Sequence, residues 1–171
     1  MIKRLVEEFV RNEYPENRFI KYVLLQKPIY WDNNANDEGI LKAILKVLQY
    51  GTGLDDENLK ELFDQFRSDI IIYFEGFIDR TGYDNFFVAD AEVPLYKFIM
   101  SVVLDDLAYC LGWYIIEQLE NDYPELQDAD CLECALEILL QRLQEESYQK
   151  DLQESATEHL EHILRHDQFD L

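Results

Sequence analysis

The stretch PLYKFIMSVVLDDLAYCLGWYIIEQLE, residues 94–120, decides the fold. Its proline suits the first turn of a helix. Beyond it, apolar residues fall on nearly every side of a helical wheel. A helix of that kind lies either in a bilayer or at the centre of a bundle. Lys97 and the adjacent Asp105 and Asp106 interrupt it, so it lacks the uncharged run of about 18 residues that a spanning segment needs. The expected architecture is therefore all-α: one domain over residues 1–171, a bundle of six or seven helices with a central buried helix near 94–120. The runner-up is an α+β variant with a short strand pair near 70–90.

The flanking sequence supports helices. With 171 residues the chain has the length of one typical domain, and four prolines and six glycines leave few breakers. No Pro/Gly/Ser linker or long repeat divides it. In DEGILKAILKVLQYGTG, residues 37–53, Ile40, Leu41, Ile44, Leu45, Val47 and Leu48 share one arc, opposite Lys42 and Lys46. Asn36 or Asp37 can cap its start and Gly51 its end. Asp55 can cap the next helix, with Leu54 and Leu59 as a staple. One apolar stripe from Leu59 to Phe77 then predicts an unbroken helix to about Asp79, closed by Gly82. DIIIYFEGF, residues 69–77, could pass for a strand, but the stripe through it favours helix. YDNFFVADAEV, residues 83–93, reads as a loop or short turn. Pro124 marks the exit of the central helix.

Cys131 and Cys134 open the next segment, DCLECALEILLQRLQEES, residues 130–147. Their spacing allows two metal ligands, two redox thiols, or two small hydrophobes on the edge of a stripe formed by Leu132, Leu136, Leu139, Leu140 and Leu143. Asp128 or Asp130 would cap this helix. The stripe does not carry past Leu143, because Leu152 falls on the opposite side of a continued helix. A break near residues 147–150 is therefore expected. If the chain reverses there, the cysteines come level with His159, His162 and His166. Zinc held by Cys131, Cys134, His162 and His166 is the resulting alternative, against the habit of zinc ligands to sit on turns at wider spacing. A thioredoxin-like site needs a βαβ context that this sequence lacks.

Asp106 is the oddest residue. It shares a helical side with Leu95, Ile99, Val102, Val103, Cys110 and Trp113, and Glu117 continues that side. A carboxylate on a packed stripe needs a partner. A structural pair with Arg67, Arg80 or a tyrosine hydroxyl is the preferred reading over a catalytic one. No other constellation suggests catalysis. No Glu-x-x-His pair points to a di-iron bundle, no G-x-S-x-G elbow to a hydrolase, and no glycine loop to phosphate binding. No enzyme activity and no cofactor are expected. Of eleven tyrosines, Tyr14, Tyr22, Tyr30, Tyr50, Tyr83, Tyr123 and Tyr148 stand near predicted helix ends or loops, as interface anchors or as plugs for the corners of a bundle.

Charge is the most informative global feature. Thirty-six Asp and Glu face fifteen Lys and Arg, a formal net of −21. Residues 1–70 hold ten basic and thirteen acidic side chains, whereas residues 71–171 hold five and twenty-three. Such a field repels nucleic acid and anionic membranes and draws in basic partners. In MIKRLVEEFVRNE, residues 1–13, Glu7 and Glu8 interrupt any signal-peptide core, and three cysteines make no disulfide framework. A reducing cytoplasm is the expected location. The segments EQLENDYPELQDADCLE (117–133) and LQEESYQKDLQE (143–154) give the chain a compositional likeness to a class of proteins. In them it resembles the acidic immunity proteins that bacteria pair with nuclease toxins. The resemblance implies a basic protein partner, bound in place of nucleic acid. The contact candidates from the residues themselves are Glu120, Asp122, Glu125, Asp128, Asp130, Glu133 and Glu137, with Tyr123 as aromatic anchor. A phage-type DNA mimic acting on a host protein would use the same surface. Self-association through apolar helices is a further alternative.

Overall fold

A computed structural model describes residues 1–82 and 94–169, with backbone alone for 165–169. The expected loop at 83–93 lies outside the described residues. Seven α-helices follow in order: α1 (Ile2–Glu13), α2 (Arg18–Lys21), α3 (Asp37–Tyr50), α4 (Asp56–Gln65), α5 (Arg67–Thr81), α6 (Leu95–Leu119) and α7 (Leu132–Phe169). Among the described residues there is no strand, so the all-α architecture holds; of the alternative strand pair near 70–90, residues 70–81 lie in helix α5 and 83–90 lie outside the described residues.

Helix α6 is the axis. Its side chains at Met100, Val103, Leu104, Leu107, Leu111, Ile115 and Ile116 are wholly buried. It packs against α1, α3, α4, α5 and α7. Although Lys97, Asp105 and Asp106 deny it a wholly uncharged run, α6 is long and apolar enough on average to cross a bilayer; here it forms the centre of the hydrophobic core. Each large apolar side chain so enclosed contributes about 1.5–3 kcal/mol of transfer free energy. Gly112 sits where α6 meets two neighbours: a Cβ there would lie 3.0 Å from Leu132 Cδ2 and 3.5 Å from Ile44 Cγ2. Gly112→Val is accordingly expected to cost about 1–3 kcal/mol through overpacking, seen as a lower urea midpoint at unchanged slope.

Local chemistry sets the starts of the shorter helices. Asn17 Oδ1 accepts from Ile20 N–H at 3.0 Å, Asn36 Oδ1 from Gly39 N–H at 2.9 Å, and Asp55 Oδ1 from Asn58 N–H at 2.8 Å. Gly51 and Gly82 close α3 and α5 at φ +80° and +70°, the conformation that favours glycine. Helix α2 widens into a π turn, Tyr22–Gln26, which buries Val23 and Leu24 behind Phe19 and Ile20.

Two expectations are corrected. The stripe from Leu59 to Phe77 is not one helix: it breaks at Phe66, whose backbone turns to φ −122°, ψ 30°. The break swings the Phe66 ring toward Tyr22 and Phe19, with ring centroids 5.0 and 6.0 Å away. The helical spacing survives across it, which is why the pattern looked continuous. The second correction concerns residues 147–150. The chain does not reverse there; α7 runs straight through as one helix of 38 residues. Its first turns pack on α3 and α6, whereas every side chain from Gln144 to Leu164 is exposed. The apolar pattern changes sides because the helix leaves the core.

Candidate functional site

The acidic connection between α6 and α7 is built around a short 3-10 turn, Pro124–Asp128, that lies against α7. Arg142 Nε pairs with Glu125 at 2.9 Å, and the Tyr123 hydroxyl donates to Glu146 at 3.1 Å. These contacts hold the run 120–130 alongside the first half of α7, which carries Glu133 and Glu137. Asp122, Asp128, Asp130 and Glu137 are exposed, and Glu120 and Glu133 half-exposed. None of these six forms an ion pair with a described residue.

Tyr123 is not the exposed anchor expected of it. Its ring is 8% exposed and belongs to the core, because it turns inward just before Pro124 where the chain leaves α6. Burial first, then the bond to Glu146, pushes its phenol up. Tyrosine roles are split. Tyr30 plugs a corner and donates to the Leu104 carbonyl at 2.7 Å, while Tyr50 and Tyr148 are 80% and 65% exposed.

The outer half of α7 was missed as a surface. Tyr148, Leu152, Leu160, Ile163 and Leu164 are 42–65% exposed there. At about 100° per residue they fall on one side of the helix, with Glu154, Glu158 and Glu161 opposite. The spacing was legible; what it lacked was any sign that the helix continues beyond the core.

Neither the cysteines nor the histidines form the zinc site considered above. With α7 unbroken, His159 and His162 lie roughly 40 Å along the axis from Cys131 and Cys134, at 1.5 Å per residue. His166 lies on the same helix, its side chain outside the described residues. No group of three or more metal-ligating side chains occurs among the described residues. Nor do Asp128 or Asp130 cap α7: Cys131 does, its sulfur accepting from Cys134 N–H at 3.3 Å.

Asp106 has a structural partner set. Its Oδ2 accepts from the Tyr73 hydroxyl at 2.7 Å and forms an ion pair with Arg80 Nη2, and Arg80 Nη1 also reaches Cys110 Sγ. Burial, then the neighbouring Cys110 and Asp106, drives the Tyr73 phenol far up, so it stays a donor. The cluster ties α5 to α6. Asp106→Ala strands the buried Tyr73 hydroxyl and is expected to cost about 1–3 kcal/mol, measured by thermal unfolding. Beside this cluster an open groove of about 590 Å³ is lined by Phe9, Tyr109, Trp113 and Tyr114, with Glu13 and Glu117 at its sides. Tyr109, Trp113 and Glu117 stand four apart on α6, a signal the sequence carried.

No family model, no curated protein and no solved structure matches the chain. What the molecule binds is therefore read from its own surface.

Proposed function

We propose that this chain is an acidic binding protein that neutralises a basic protein partner, in the manner of an immunity protein that blocks a bacterial nuclease toxin. The supporting observation is the outer half of α7. Most helix stability in proteins comes from tertiary packing of an apolar face, and this half of α7 leaves its apolar side uncovered. Covering that side would stabilise both helix and complex.

Charge selects the occupant. Residues 144–164 carry Glu145, Glu146, Asp151, Glu154, Glu158 and Glu161 against a single Lys150. The unpaired carboxylates of the α6–α7 connection add to the same field. A second copy of the chain is a poor occupant, since both helices would bring the same excess of carboxylates. A partner with a basic cleft, the cleft a nuclease needs for phosphates, is a complementary one. The carboxylates steer the encounter and take the place of phosphate charge; burial of Tyr148, Leu152 and Leu160 then slows release.

The test is capture and inhibition together. Tagged full-length chain is expected to retain a basic protein and, once both are purified, to suppress its cleavage of RNA or DNA at one-to-one stoichiometry. A retained basic protein that binds nucleic acid without cutting it would move the assignment to a DNA mimic. Retention of nothing basic overturns the proposal.

A further inference from the structure

Cys131 and Cys134 are both exposed free thiols at the head of α7, and their sulfurs stand 2.8 Å apart. That is closer than non-bonded thiols ordinarily approach and less than 1 Å beyond a disulfide bond of about 2.05 Å. We propose that this pair is a reversible dithiol–disulfide couple, with Cys131 as the attacking thiol, Cys134 as the resolving thiol, and small neutral or cationic disulfides as its oxidising substrates.

Three features carry the assignment. The first is proximity, which the first turn of α7 enforces on residues 131 and 134. The second is the N-cap position of Cys131. Its sulfur accepts the Cys134 N–H at 3.3 Å and stands at the open N-terminal end of a long helix, where an incoming disulfide can reach it. Cys134 stands one turn further in: its hydrogen bond with Cys131, then slight desolvation and the charges nearby, Glu137 and Asp130 among them, push its thiol up. It therefore waits as a thiol until Cys131 has reacted. The third is charge. Glu137 and Asp130 act on the Cys134 thiol, and Asp128 and Glu133 lie within three residues of Cys131 in the sequence, so an anionic disulfide is repelled and a cationic one concentrated.

The reaction balances without another reagent. The Cys131 thiolate attacks one sulfur of RSSR, the S–S bond breaks, and the first RS⁻ leaves. Cys134 loses its proton as it attacks Cys131 Sγ, and the mixed disulfide releases the second RS⁻. Two electrons pass from the protein thiols to RSSR. The two protons they shed end on the leaving thiolates, giving two RSH and an intramolecular disulfide.

The experiment uses full-length, reduced chain freed of reductant and treated separately with cystamine, hydroxyethyl disulfide and oxidised glutathione. Loss of two hydrogens is expected without retained adduct. Cleavage at glutamate cuts after Glu133, between the cysteines, and after Glu117, Glu120 and Glu125. The cross-link should therefore appear as joined peptides that exclude Cys110. Cystamine should react fastest and glutathione disulfide slowest, with a spread of roughly tenfold at low salt that closes as salt rises. Cys134→Ser should stop at a mixed disulfide on Cys131, Cys131→Ser should lose the fast step, and Cys110→Ser should change nothing. Stable mixed disulfides in the unsubstituted chain, a cross-link through Cys110, or no reaction would overturn the couple. Equal rates for the three reagents would overturn its substrate assignment.

Discussion

Changing Asp122, Asp128, Asp130 and Glu137 together to lysine is expected to slow association with the basic partner by at least about tenfold at low salt. All four side chains are exposed and none forms an ion pair with a described residue. They contribute little to the fold, since such surface positions change stability by about 0.5 kcal/mol or less. Asp130 is a partial exception. It precedes the N-cap of α7, where a carboxylate gains about 0.3–1 kcal/mol from the helix dipole. The four changes move the formal net charge from −21 to −13, leaving a soluble acidic protein with a broken patch. Association of the unsubstituted chain should fall steeply with salt and that of the variant much less. Stopped-flow mixing at several salt concentrations measures both. Unchanged rates would place the binding surface elsewhere, with the outer half of α7 and the aromatic groove beside Glu13 and Glu117 the next regions to alter.

The second large effect separates the core from the projecting helix. Leu107 is wholly buried in α6 at the centre of the core. Leu107→Ala removes three carbons and leaves a cavity that rigid neighbours only partly fill. A loss of about 2–5 kcal/mol is expected, a large share of the 5–15 kcal/mol that holds a domain together. Ending the chain after Ser147 should act oppositely. That position keeps Arg142 with Glu125 and Glu146 with Tyr123, and the described side chains it removes, 148–164, are all exposed. The core's unfolding midpoint should hardly move, while far-UV ellipticity falls in proportion to the helix lost and partner binding weakens by tenfold or more. A large drop in the melting temperature of the shortened chain would mean that the outer helix packs against the bundle.

The parts of this molecule that were legible in its sequence are those governed by local chemistry or by composition. Residues 95–119 announce a central helix because no side of the wheel is polar enough to face water. Asn36 and Asp55 announce helix starts because a side-chain oxygen there meets an orphan N–H. Asp106 announces a partner because a carboxylate on an apolar stripe requires one, and Arg80 and Tyr73 supply it. The illegible parts depend on what lies across the fold. The bend at Phe66 keeps helical spacing on both sides, so only the aromatic pocket offered by Phe19 and Tyr22 reveals it. The phase change between Leu143 and Leu152 has two solutions, a chain reversal or a helix that leaves the core, and periodicity cannot distinguish them. Tyr123 looked like an exposed anchor because it stands in an acidic loop; the turn before Pro124 directs it inward. The acidic run itself was readable, whereas the exposed apolar side of α7 that accompanies it became visible only once the helix was known to continue.

The central claim, that the acidic face of α7 and of the connection before it meets a cationic protein cleft, is tested most directly by titrating the purified chain into the basic protein that co-purifies with it while cleavage of labelled RNA and DNA is followed. The account predicts loss of cleavage complete at one equivalent, and recovery of cleavage when the four-lysine variant replaces the chain. Full cleavage in the presence of a saturating excess of unsubstituted chain would contradict it.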